Sequence, residues 1–171
     1  MCKNLLIISF LLLLSTISFA QNKSVYTSLA ADKCKTESVN QGMPGNYVGK
    51  CAGIGGYSLE VYLDDERNSL GVVIPKKEAI GLDFWNYFGN FSELGEKAEW
   101  RMKGKTPVGL IVRLNVSDKG DNGERNSYLI VSKITKTNAC VTDIVKPGKS
   151  QNLLAQQLAD SAANKPCKKV K

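Results

Sequence analysis

The chain has 171 residues, 43% of them hydrophobic and 23% charged, with a formal net charge of +7 and no histidine. Without histidine, Ser-His-Asp and Cys-His nucleophilic centres and His-ligated metal sites are excluded. The length suits one ordinary domain, and the basic balance predicts attraction to anionic surfaces rather than any particular chemistry.

Residues 1–20 read as a secretory signal peptide. One lysine precedes an apolar run that starts at Leu5, and Ser18 and Ala20 take the small-x-small positions before a cut ahead of Gln21. The run is too short to span a bilayer, so no stable membrane anchor is expected. Nor does a cysteine follow the cut to carry lipid. Loss of the leader removes one lysine and no acid, leaving 22 basic against 16 acidic residues, a net +6. The expected location is the periplasm or the cell exterior.

Residues 21–33 are polar and small, and are expected to form a flexible, loosely attached segment in which Tyr26 and Leu29 can pack. Residues 34–171 then make a single disulfide-stabilised domain. Its four cysteines are Cys34, Cys51, Cys140 and Cys167, and an even count in an exported chain reads as two bridges. Four cysteines permit three pairings, and loop length ranks these without selecting one. The expectation is Cys34 with Cys51 and Cys140 with Cys167, each closing a short loop that contributes about 3 kcal/mol. Zinc is disfavoured because there is no CxxC spacing.

Asn40 to Asn46 is a loop by its glycines and proline. The run Cys51-Ala52-Gly53-Ile54-Gly55-Gly56-Tyr57 lacks the third glycine of a dinucleotide loop and is followed by a strand pattern, so its glycines are read as a turn or bulge. Tyr57, Leu59, Val61 and Leu63 alternate with polar residues as a strand. A charged turn at residues 64–68 leads to a partner strand through Leu70, Val72 and Ile74, which Pro75 stops. Residues 79–91 are less regular and hold Phe84, Trp85, Tyr87, Phe88 and Phe91. Such rings cap a β core more often than they form a binding platform.

The best hairpin runs from Glu96 to Val116. Ala98, Trp100 and Met102 point one way, Gly104 and Pro107 bracket the turn, and Val108, Leu110, Val112, Leu114 and Val116 form one apolar face. Glu99, Arg101 and Arg113 fall on the opposite face, read as exposed and paired across strands. The polar stretch from Asp118 fails the EF-hand pattern, with Gly120 and Leu129 at the third and twelfth positions. Residues 128–134 and 139–145 are further strands. Ser150 reads as a helix N-cap, Leu153, Leu154, Leu158 and Ala162 recur at helical spacing, and Pro166 ends the helix before Cys167. The fold class is therefore mainly β, an antiparallel meander forming a small barrel or sandwich, with one C-terminal α-helix.

The CxGxGGY run, the Asp65/Arg67 turn, Glu99-Trp100-Arg101, a proline before Ile111-Val112-Arg113, and Leu154-Ala155-Gln156-Gln157-Leu158-Ala159-Asp160 ahead of a cysteine occur together here. In this combination the chain resembles a group of small exported bacterial proteins, over residues 26–167. The resemblance implies export and a common fold, and no catalytic activity.

Three functions are compatible with these residues. The first is a non-catalytic binding or inhibitor-like module, similar in size and disulfide usage to periplasmic lysozyme inhibitors. Its basic charge points away from cationic lysozymes and toward an anionic cell-envelope polymer or a protein. Its candidate binding residues are Arg101, Lys103, Lys105, Arg113, Trp85 and Phe88. The second is a structural or stress-related envelope protein without a single ligand. The third, a carboxylate-based hydrolase, has only Asp64, Asp65 and Glu66 to offer, in a solvated turn where acid–base work is disfavoured. No cofactor, metal or nucleic-acid partner is expected.

Overall fold

A computed structural model describes residues 22–38, 47–117 and 123–170. The leader, the 40–46 loop and the start of the polar stretch at Asp118 lie outside them. Ten strands follow in order: β1 Lys23–Ser28, β2 Lys35–Ser38, β3 Tyr47–Ala52, β4 Ser58–Asp64, β5 Arg67–Val73, β6 Ala79–Gly81, β7 Ser92–Lys103, β8 Thr106–Ser117, β9 Arg125–Ile134 and β10 Ala139–Val145. One helix, α1 Gln151–Asp160, comes last. Among the described residues no helix is long and apolar enough to cross a membrane.

The sheet order is β10-β9-β8-β7-β5-β4-β3-β2, with β1 on the second edge of β7 and β6 on that of β5. All pairings are antiparallel except β5 with β7, which meet only at Arg67 and Ser92. Beyond that point the free edge of β7 takes β1 and that of β5 takes β6, so the two halves diverge. The sheet is consequently not closed into a barrel, and of the two expected forms that one is dropped. Both halves still supply one apolar cluster, in which Leu59, Leu70 and Val72 meet Trp100, Leu110, Val112 and Leu114.

The alternating pattern of the β7–β8 hairpin predicts its inward face correctly, with Trp100, Leu110 and Leu114 fully buried. Its turn is tighter than expected. Gly104, at φ 62°, turns the chain, and Pro107 lies inside β8 opposite Met102, where the register slips. A proline has no N–H to give, and such an irregularity is where a strand tolerates one. The glycines after Cys51 do form a turn: Gly55 and Gly56 have φ of 64° and 85°. The bridges are Cys34–Cys51 and Cys140–Cys167, with Cα separations of 4.3 and 5.7 Å.

Four expectations are corrected. The segment expected to attach loosely contains β1, paired with β7 from Lys23 opposite Met102 to Ser28 opposite Lys97. Its inward residues are Val25 and Thr27, and Thr27 Oγ1 accepts the indole N–H of the buried Trp100 at 2.8 Å. The helix does not bury Leu153 and Leu154, which are 58% and 45% exposed, but Ala155, Ala159 and the following Ala162. Its backbone lies so close to β8 that a Cβ on Gly109 would come within 2.8 Å of the Ala159 carbonyl oxygen. Ser150 also makes no side-chain capping bond. Finally, the supposedly exposed face of the hairpin lies partly under α1, where Ile111, Leu129, Val131 and Val145 form a second small cluster with the alanines.

The Trp100 contact gives a first prediction. Thr27→Val should cost about 1–3 kcal/mol, because the buried indole N–H loses its acceptor while the side-chain shape is kept. Urea unfolding of the two proteins measures it, and equal midpoints would show that the bond carries no stability.

Candidate functional site

The four basic residues expected to act together are dispersed. Arg101 is only 4% exposed and is opposite Gly109. Its guanidinium contacts both carboxylate oxygens of Asp160, at 2.7 and 2.8 Å, and also Asn22 O, Ser24 Oγ and Glu99. The hydrogen bond to Asp160 raises its pKa against the opposing effect of burial. Arg101 is thus a clamp between β7, β1 and the end of α1, not a surface contact. Arg113 is half-buried against the start of α1, and Lys103 and Lys105 stand exposed on and beside the β7–β8 turn.

The rings behave mainly as a cap. Phe84 enters the core at 1% exposure, and Tyr87 and Phe88 pack on it from outside. Phe88 also meets the Tyr128 ring at a centroid distance of 4.9 Å and a tilt of 47°. The outer sides of Tyr87, Phe88 and Tyr128, with Ile144, form one wall of a cleft of about 420 Å³. Asn86, Lys146, Lys168 and Lys169 line the rest, and among the described residues no carboxylate does. Trp85 is half-buried and does not line the cleft. Nor do the three lysines join any of the ion pairs among the described residues.

Sequence reading found Phe88 but missed the lysines, because they converge only in three dimensions. Lys146 follows the last residue of β10, whereas Lys168 and Lys169 follow Cys167. The Cys140–Cys167 bridge brings the tail back to β10, where Lys168 N–H donates to Val141 O at 2.7 Å. The Tyr87 hydroxyl donates to Lys168 O at 3.0 Å. Burial, helped by Asp83, pushes the Tyr87 pKa up. The expected pairing of Cys140 with Cys167 was the one usable signal for this cleft.

A larger opening, of about 580 Å³, lies where the two halves of the sheet join and has Glu66, Glu93 and Glu96 on its rim. All three are exposed, and Glu93 is paired with Arg125 at 2.6 Å. Acid–base work would need a buried carboxylate pair, which this rim does not provide. No protein-family model, curated protein or solved structure matches the chain.

Proposed function

We propose that the protein is a non-catalytic, exported binding module that holds an anionic partner of the cell envelope in the lysine-ringed cleft. The observation that carries this reading is the cleft's composition: three ammonium groups beside a wall of aromatic rings, with neither an ion pair to the lysines nor a lining carboxylate among the described residues. Rings supply apolar contact area at low entropic cost, and the lysines attract phosphate or carboxylate over a screening length of about 8 Å at physiological salt.

The test is retention of the mature protein on isolated envelope or an immobilised anionic polymer, followed across a salt gradient. The variant Lys146→Ser/Lys168→Ser/Lys169→Ser should bind on the order of a hundredfold more weakly, at about 1 kcal/mol per lysine near an anionic surface. Lys103→Ser/Lys105→Ser should change retention little, which separates the cleft from general positive charge. Absence of salt-sensitive retention in the unmodified protein would end the proposal, as would equal retention of the triple variant.

A further inference from the structure

The two disulfides are built into different surroundings. Cys51 is 2% exposed and belongs to the larger apolar cluster, against which Cys34 packs. Cys140 and Cys167 belong to neither apolar cluster, and Cys167 is exposed. Thiol–disulfide exchange needs an open path to one of the sulfurs, so a dithiol meets the second bridge first. Cys140 also stands opposite Lys133 on β9, and Lys168 and Lys169 follow Cys167 in the chain. Neighbouring ammonium groups favour a thiolate, and a more stable thiolate leaves faster.

The same bridge holds the segment that completes the lysine cleft. None of residues 165–170 is buried. Ahead of Cys167, Lys133 Nζ donates to Lys165 O at 2.7 Å, and Lys165 Nζ pairs with Asp143 at 2.8 Å. Beyond it, Lys168 N–H donates to Val141 O and its carbonyl accepts from the Tyr87 hydroxyl. Those last two bonds replace bonds to water. Their net gain does not offset the conformational freedom that residues 167–170 lose on docking.

We propose that Cys140–Cys167 is a reducible latch. Closed, it assembles the lysine cleft; opened, it withdraws Lys168 and Lys169 while the sheet stays folded. The thiolate of a dithiol attacks Cys167 Sγ, the S–S bond breaks, and Cys140 departs as a thiolate that takes up a proton. The dithiol's second sulfur then displaces Cys167 from the mixed disulfide, and that thiolate is protonated in turn. Two electrons and two protons pass to the protein, and the dithiol ends as a disulfide. The reductant required is therefore a dithiol oxidoreductase or a small dithiol. Lys146 and the ring wall remain in place, because β10 and the core that carries them contain neither end of the tail. The consequence for binding rests on the cleft reading proposed above; the latch itself does not.

The experiment is stepwise reduction of the full mature chain with dithiothreitol, with free thiols trapped by iodoacetamide at each step. Peptide mapping should find Cys140 and Cys167 alkylated while Cys34 and Cys51 are still joined. At that stage the Lys168 amide should lose its protection from hydrogen exchange, while β8 keeps its own. Retention on an anionic polymer should weaken about thirtyfold, the contribution of two lysines, and reoxidation of untrapped protein should restore it. Cys140→Ser/Cys167→Ser should reproduce the weak state without reductant. If that variant misfolds, the reduction series on the unmodified chain decides alone. Earlier or simultaneous reduction of Cys34–Cys51, unchanged exchange at Lys168, or full retention after reduction would overturn the proposal. Absence of retention in the oxidised protein would instead refute the cleft reading, with the latch decided by mapping and exchange.

Discussion

Leu110→Ala is expected to cost about 2–5 kcal/mol of folding stability, the range for truncating a fully buried leucine. Leu110 has 0% exposure and sits opposite Trp100 on β7 and Ser132 on β9, in the middle of the apolar cluster shared by both halves of the sheet. Strands on either side hold the backbone in place, so the site cannot collapse onto the missing atoms. Urea unfolding should show a lower midpoint with an unchanged slope. The comparison that sharpens the result is Leu153→Ala on α1. Leu153 is 58% exposed, and its truncation should fall within about 0.5 kcal/mol of neutral. Two leucines that look equally buried from sequence periodicity would then differ several-fold in effect. A loss below about 0.5 kcal/mol at Leu110 would place the hairpin's apolar face in solvent.

The contrast between those leucines shows what the sequence can and cannot express. Alternation along a strand has a period of two, and Ala98-x-Trp100-x-Met102 admits only one inward face once it pairs. A helix face is read from the largest apolar residues, and here these mislead. The contact with β8 is set by Gly109 against Ala159, a close approach that requires small residues and leaves the leucines outside. β1 carries few apolar residues, and besides its pairing with β7 it is tied to the core by a polar bond from Trp100 to Thr27 across 73 residues. The disulfides were readable because each joins cysteines close in sequence, separated by 17 and 27 residues. The lysine cleft depends on the second of these bridges, so only its location, and not its chemistry, could have been anticipated.

Arg101→Met is expected to be the other costly substitution, at about 3 kcal/mol. That is the low end for breaking a buried pair, since the Asp160 side chain keeps 30% exposure and water can partly replace its partner. The loss has a direction beyond its size. Asp160 is the last residue of α1, where the helix dipole already disfavours a negative charge. Without Arg101 it keeps, among the described residues, only the Asn22 amide, at 3.1 Å, and the one positive charge that also contacts Glu99, at 3.7 Å, is gone. Adding Asp160→Asn to Arg101→Met should therefore recover part of the stability rather than lower it further, and the double-mutant cycle measures that coupling. Hydrogen exchange should locate the damage in two separated segments: β1, which loses the bonds to Asn22 O and Ser24, and the C-terminal turn of α1. Additive single costs in the cycle, with unchanged exchange in β1, would mean that the clamp is an ordinary surface contact.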